Sequence, residues 1–294
     1  MARPYTGLMG RVAVVADSSA CLPGELIEAN RIAIVPLGLA IGGELYADGS
    51  LSNNELFERL TASRGGAQTA AASPGAFLEA FARQRDGGAT GVLCLTLSAQ
   101  YSGTHAAALN AARLAQSRLP GLQVRVVDTG SLAMTHGFAV LGAARAAEAG
   151  ASLDEAADTA RRIGEAGHLI GTLDTLRYLV IGGRVPWVLG WAASLLRIKP
   201  VLAFEDGSAR SIGRPRTWPA ASEQMLQRLV TGASGGGPLH AAVMHVDAAD
   251  RARELACQVQ TRFRPAELLV SEFTSAMAAH TGPGFVGLAY YRDD

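Results

Sequence analysis

The chain has 294 residues, 49% hydrophobic and 18% charged, which is a globular rather than a disordered balance and length enough for one large or two modest domains. Its 26 basic and 26 acidic residues cancel, so no overall field draws it to nucleic acid or to an anionic membrane surface. Three scattered cysteines, Cys21, Cys94 and Cys257, without a CxxC pair, suit a reducing cytosol better than a disulfide framework.

Short apolar runs alternate with helical patterns along the chain, the signature of an α/β protein. Val12–Ala16 reads as a strand, a helical pattern follows from Pro23, and Ile32–Ile41 reads as a second strand. Ser52 and Glu55 form a capping box that opens a helix to about Ser63, and Ser73-Pro74 starts another. Gly91–Leu97 does not alternate and so predicts a strand buried on both faces. A short loop, Ser98–Tyr101, leads into an Ala-rich helix to about Arg118; a strand at Val124–Asp128 and a helix over 132–149 follow. Ser152 and Glu155 make a second capping box, and Leu169–Leu173 reads as a strand. Pro186–Ile198, with Trp187 and Trp191, is apolar nearly all round and is expected to be buried or to line a pocket. Asp206-Gly207 predicts a hairpin turn, and Leu239–Val246 and Val286–Tyr291 read as strands. Two α/β domains are expected, over 11–166 and 167–292, the first with a mainly parallel sheet. The N-terminal MARPYTGLMG lacks a long apolar run, and no charge-free run of about 18 residues occurs, so a cytoplasmic protein without stable membrane insertion is expected.

Several patterns that resemble catalytic motifs fail on context. Gly232–Gly236 fits GxSxG, but a nucleophile elbow needs a strand before it and a helix after it, and here the order is reversed. Gly282–Gly287 fits GxGxxG but runs into a strand rather than opening a helix. The single lysine, Lys199, is not in a Walker A sequence, and the six histidines lack metal-ligand spacing, so no metal and no cofactor are expected.

Four separated segments carry a resemblance. Ala16-Asp-Ser-Ser-Ala-Cys-Leu-Pro23 is similar to a DSTADLP opening, and Thr69–Phe77 to TSQPSPGEF. Leu97–His105 is similar to ISSKLSGTY, and His280-Thr-Gly-Pro-Gly284 matches a closing HTGPG. In this order, and over roughly Val12 to Tyr291, they resemble the DegV family. The resemblance implies two α/β domains with a long-chain fatty acid held between them. It also implies a partner, a fatty acid kinase that phosphorylates the bound carboxylate. It assigns the carboxylate to Thr69, to Ser98 or Ser102, with Gly103 and Thr104, and to the nearby His280. Arg184 and Arg216 fall near the mouth where the kinase would dock. The chain departs from the family pattern at Ala70-Ala71-Ala72, at Ala99 and at His105, which removes polar groups from two of these loops.

Read without the family, Ser102-Gly103-Thr104 follows a buried strand and opens a helix. Backbone N–H groups, the helix dipole and two hydroxyls make such a place a receptor for an anion, although an ordinary helix cap has the same residues. Asp17, ending the first strand, is a further candidate, with loop ordering as the alternative role. An acyl hydrolase using Ser102 and His280, or a carrier for another amphipathic acid, are the competing readings. Phe77, Phe81, Phe138 and the helix over Trp187–Ile198 are candidate tunnel walls, with core packing the favoured alternative for each residue taken singly.

Overall fold

The computed structural model describes residues 10–63, 66–183, 185, 198–205, 208–232 and 236–293. Strand β1 (Val12–Asp17) passes through a 3-10 turn (Ser18–Ala20) into α1 (Gly24–Ala29), β2 (Ala33–Val35), β3 (Gly38–Ile41), β4 (Glu44–Ala47), α2 (Asn53–Ala62) and β5 (Gln68–Ala70). Then follow α3 (Pro74–Asp86), β6 (Gly91–Thr96), α4 (Thr104–Arg118), β7 (Gln123–Asp128), α5 (Ala133–Glu148) and α6 (Leu153–Ala166). The chain continues with β8 (His168–Thr172), α7 (Arg177–Gly182), β9 (Val201–Glu205), β10 (Ser208–Gly213) and α8 (Trp218–Gly232). It closes with β11 (Leu239–His245), α9 (Ala249–Phe263), β12 (Glu267–Glu272), α10 (Ser275–Thr281) and β13 (Val286–Arg292).

Three sheets result. Strands β2-β1-β6-β7 form an all-parallel sheet, and every residue of β6, one of its two inner strands, is buried, as the unbroken apolar run requires. A six-stranded sheet runs β10-β9-β8-β13-β11-β12, antiparallel except for the pair β11 and β12. A small antiparallel sheet, β4-β3-β5, accompanies them. The fold is thus mixed α/β, with the parallel sheet in the N-terminal part of the chain as the sequence predicts. Both capping boxes form: Ser52 and Ser152 each accept from the backbone of Glu55 and Glu155, whose carboxylates reach back to the cap N–H.

The predicted strand over Ile32–Ile41 divides. Ala33–Val35 joins the parallel sheet and Gly38–Ile41 the small one. Pro36 lies between them and has no N–H for a ladder, so the chain changes sheets there. Strands β9 and β10 pair as the expected hairpin, while its turn at Asp206-Gly207 lies outside the described residues, as do Trp187, Trp191 and nearly all of the apolar segment 186–198.

The apolar core clusters into three regions. The largest binds α5 and α6 to the parallel sheet and extends onto the six-stranded sheet. The second lies under α3 and α4, and the third under α8 and α9. Phe77 and Phe81 belong to the second, fully buried with ring centroids 6.3 Å apart. Phe138 packs on Tyr291 at 5.2 Å in the first. All three phenylalanines are therefore core residues, worth roughly 1.5–3 kcal/mol each by burial, which is the alternative to tunnel walls that the sequence favours for each taken singly.

Candidate functional site: an apolar cavity with a few hydroxyls and one imidazole

A cavity opens between the segments that form the parallel and small sheets and those that form the six-stranded sheet. Its described walls are mostly apolar: Leu37, Leu97, Leu132, Leu179, Val185, Phe204 and Met277. Among them stand Thr69, Ser102, Gly103, Tyr101, Thr281 and His280. Four of the predicted carboxylate residues are therefore brought together, and each comes from a different physical cause.

Thr69 lies on β5 and pairs in register with Leu39, which holds it in the small sheet. Ser102 and Gly103 end the loop after β6, at the carboxyl end of a parallel strand, where α/β sheets open their ligand crevices. Gly103 is the N-cap of α4 and supplies no side-chain cap; Ser102 Oγ instead accepts from the Thr104 N–H at 3.2 Å and lies 2.8 Å from Thr104 Oγ1. A Cβ on Gly103 would stand 3.9 Å from Ala71, so the two loops that lost polar side chains face each other here. Ser98 and Thr104 are buried and are not among the lining residues. Ser98 Oγ accepts from the Gln100 N–H, and Thr104 backs the hydroxyl of Ser102.

His280 arrives on α10, where its Nε2 lies 2.8 Å from Thr69 Oγ1. The position of this short helix is set from both ends. At its start, Asp48 Oδ1 accepts from Ala276 N–H at 2.7 Å and from Ser275 Oγ at 3.0 Å. The other oxygen, Oδ2, accepts from Ser18 Oγ at 2.5 Å, and Ser18 Oγ in turn accepts from Leu37 N–H at 3.0 Å. At its end, Gly282 and Gly284 have φ of +77° and +81°. A Cβ on Gly282 would strike the Tyr178 ring at 2.2 Å, and one on Gly182 would strike His280 Nδ1 at 2.4 Å. Glycine is required at both for α7 to lie against α10.

Asp17 is fully buried and does not line the cavity. Its carboxylate accepts from the backbone N–H groups of Ser19 at 3.0 Å and Leu97 at 2.8 Å, and lies 3.7 Å from His136 Nε2. It orders the loops at the ends of β1 and β6. Arg216 is exposed beyond β10; Arg184 lies outside the described residues, although its neighbour Val185 lines the cavity.

A serine hydrolase would need the Ser102 hydroxyl bonded to a base. Here the hydroxyl is engaged with Thr104 and the imidazole Nε2 with Thr69. Tyr101, Leu132, Leu179, Phe204 and Met277 are cavity residues that sequence reasoning missed, and nothing in their spacing marks them. The Tyr101 hydroxyl is buried without a partner, and burial pushes its pKa up to about 12, so it stays protonated. No helix among the described residues is long and apolar enough to cross a membrane.

The profile of a family described as uncharacterised DegV-family proteins matches residues 11–293. A DegV domain-containing protein of Streptomyces coelicolor is 37% identical over 278 residues, which cover 94% of this chain and 97% of that one. One of Mycobacterium bovis is 34% identical over 280 residues, 94% of this chain and 96% of its own. Among solved structures, a DegV family protein from Thermus thermophilus described as fatty-acid-binding superposes with a TM-score of 0.87 at 29% identity, covering 96% of this chain and all 100% of that one. A DegV family protein from Corynebacterium glutamicum superposes with a TM-score of 0.80 at 26% identity, covering 97% and 99%.

Proposed function

The chain belongs to the DegV family, and from that premise we propose that it holds a long-chain fatty acid non-covalently and presents the carboxylate to a fatty acid kinase for acyl phosphate formation. The observation that carries this reading is the convergence of Thr69, Ser102 and His280 on one otherwise apolar cavity. Three such groups suit a carboxylate: the Thr69 and Ser102 hydroxyls each keep a hydrogen to donate when the His280 Nε2–H and the Thr104 hydroxyl donate to them in turn. The fatty-acid binding of the Thermus thermophilus relative supports the same ligand class.

The apolar walls suit the tail. Each buried methylene contributes about 0.8 kcal/mol, so a 16-carbon chain offers roughly 12 kcal/mol before the losses of ordering and association. That is enough to retain the ligand through purification. The carrier has no need of chemistry of its own, because phosphoryl transfer belongs to the kinase. Gly103, Thr104 and Ser98 shape the loop that carries Ser102, and Arg184 and Arg216 are proposed to face the kinase.

The test is mass spectrometry of the protein purified after expression in bacteria, first native and then after extraction. One fatty acid per chain, released on denaturation, is expected. Repeated extracts without fatty acid, together with no binding of added acid to delipidated protein, would sink the carrier reading.

A further inference from the structure

On another face of the molecule, a surface pocket is walled by the first turn of α2, the turn after β11 and the turn between β12 and α10. It is lined by Asn53, Asp247, Glu272, Thr274 and Ser275. Strands β11 and β12 are parallel, with His245 opposite Glu272, so Glu272 and the turn that carries Asp247 sit at the carboxyl ends of two parallel strands. Crevices at such ends commonly hold ligands.

The pocket has too many acceptors. Asp247 and Glu272 make no ion pair in the described structure, and each raises the other's local negative potential. Asn53 is only 7% exposed. Its Nδ2 donates to Glu272 Oε1 at 3.1 Å and to the Phe273 carbonyl at 3.0 Å, which sets the orientation of the amide. The buried Oδ1 is left without a partner. The Nδ1 of His245 is buried and without a partner, and Arg253 is bonded to Asp250 at 2.5 Å. Both carboxylates are exposed to solvent, whereas the amide oxygen of Asn53, which lines the same pocket, is buried and orphaned, and that oxygen is costly unless something positive completes it.

We propose that Asp247, Glu272 and the Oδ1 of Asn53 bind a hard divalent cation, Ca2+ or Mg2+, which ties α2 to the strand ends of the six-stranded sheet. Among the described residues no three His, Cys, Asp or Glu side chains are grouped to hold a metal, and this donor set differs from such a group. It is made of oxygens only, two of them carboxylate groups and one an amide, with water completing the shell, which is the pattern of calcium and magnesium sites rather than of zinc. The same pocket wall runs through Thr274 and Ser275 into α10, so the cation stiffens the helix that carries His280.

The test uses the full chain, stripped with a chelator and titrated calorimetrically with calcium chloride and, separately, magnesium chloride. One site per chain is expected for at least one of the two, with a Kd on the order of 0.1–1 mM, the range of open sites with few carboxylates. Asp247→Asn and Glu272→Gln are each expected to weaken it about tenfold or more. In chelator both variants are expected to melt no lower than wild type, because each removes one of two repelling charges, and this shows that they fold. Absence of saturation by either cation up to about ten times that range overturns the proposal, as does wild-type affinity in both variants. Fatty acid content plays no part in the readout, so the carrier reading stands or falls separately.

Discussion

The Thr69 hydroxyl and the Nε2 of His280 lie 2.8 Å apart although 211 residues separate them in the chain. One residue belongs to an edge strand of the small sheet and the other to the last helix, so their contact closes the cavity wall across the whole fold. When Nε2–H donates to Thr69 Oγ1, the Thr69 hydroxyl keeps its own hydrogen to turn toward an incoming anion.

Thr69→Val and Ser102→Ala are each expected to weaken fatty acid binding. A hydrogen bond to a charged group contributes about 1.5–3 kcal/mol, which corresponds to roughly ten- to a hundredfold in Kd. Titration of delipidated protein with a fluorescent fatty acid measures this. Unchanged affinity in both variants would place the carboxylate elsewhere in the cavity.

Asp48 ties the first sequence motif to the start of α10, since it accepts from Ser18, Ser275 and the Ala276 N–H. Asp48→Ala leaves these donors without an acceptor in a buried place. We expect a loss of about 2–4 kcal/mol in urea unfolding. Asp48→Asn, which keeps one acceptor oxygen, is expected to fall between. Fatty acid affinity is expected to drop in the same order, because α10 positions His280. Stability within about 0.5 kcal/mol of wild type in Asp48→Ala would show that the clamp contributes nothing.

Stability is expected to fall as pH drops below about 6.5, the ordinary histidine pKa. Burial lowers the pKa of His136, and this outweighs the attraction of Asp17, the next cause. The folded state therefore resists taking a proton that the unfolded chain accepts. Between the folded pKa and 6.5 the unfolded state binds more protons, so stability rises with pH across that window and falls on acidification. His245 is shifted the same way and contributes to the same slope. His136→Gln should flatten the dependence measured by urea unfolding between about pH 5 and 7, leaving the share of His245. An unchanged slope would mean that His136 does not titrate on unfolding in that window.

Arg216 is exposed past the β9–β10 hairpin, and an exposed arginine is worth little to stability by itself. Its guanidinium suits bidentate contact with carboxylate or phosphate. Arg216→Ala and Arg184→Ala are expected to leave fatty acid affinity intact and to slow acyl phosphate formation by the cognate kinase. Loading each variant with the same labelled acid and following phosphorylation at several carrier concentrations separates docking from binding. Wild-type rates in both would remove these arginines from the docking surface.

What could be read from the sequence was mostly local. The capping boxes at Ser52 and Ser152 join groups three residues apart, and the buried strand over Gly91–Thr96 announces itself by apolar composition alone. The resemblance carried by four ordered motifs implies that Thr69, Ser102 and His280 share a site, and all three line one cavity. Tertiary structure decided the rest. Pro36 sends the two halves of one apolar run into different sheets, and Phe77, Phe81 and Phe138 go to the core rather than to the cavity. Leu132, Leu179 and Phe204 become cavity walls, and Asp48 becomes the clamp on α10. These outcomes depend on which surfaces are packed against each other across long stretches of chain, and neither the period nor the polarity of a short segment carries that information.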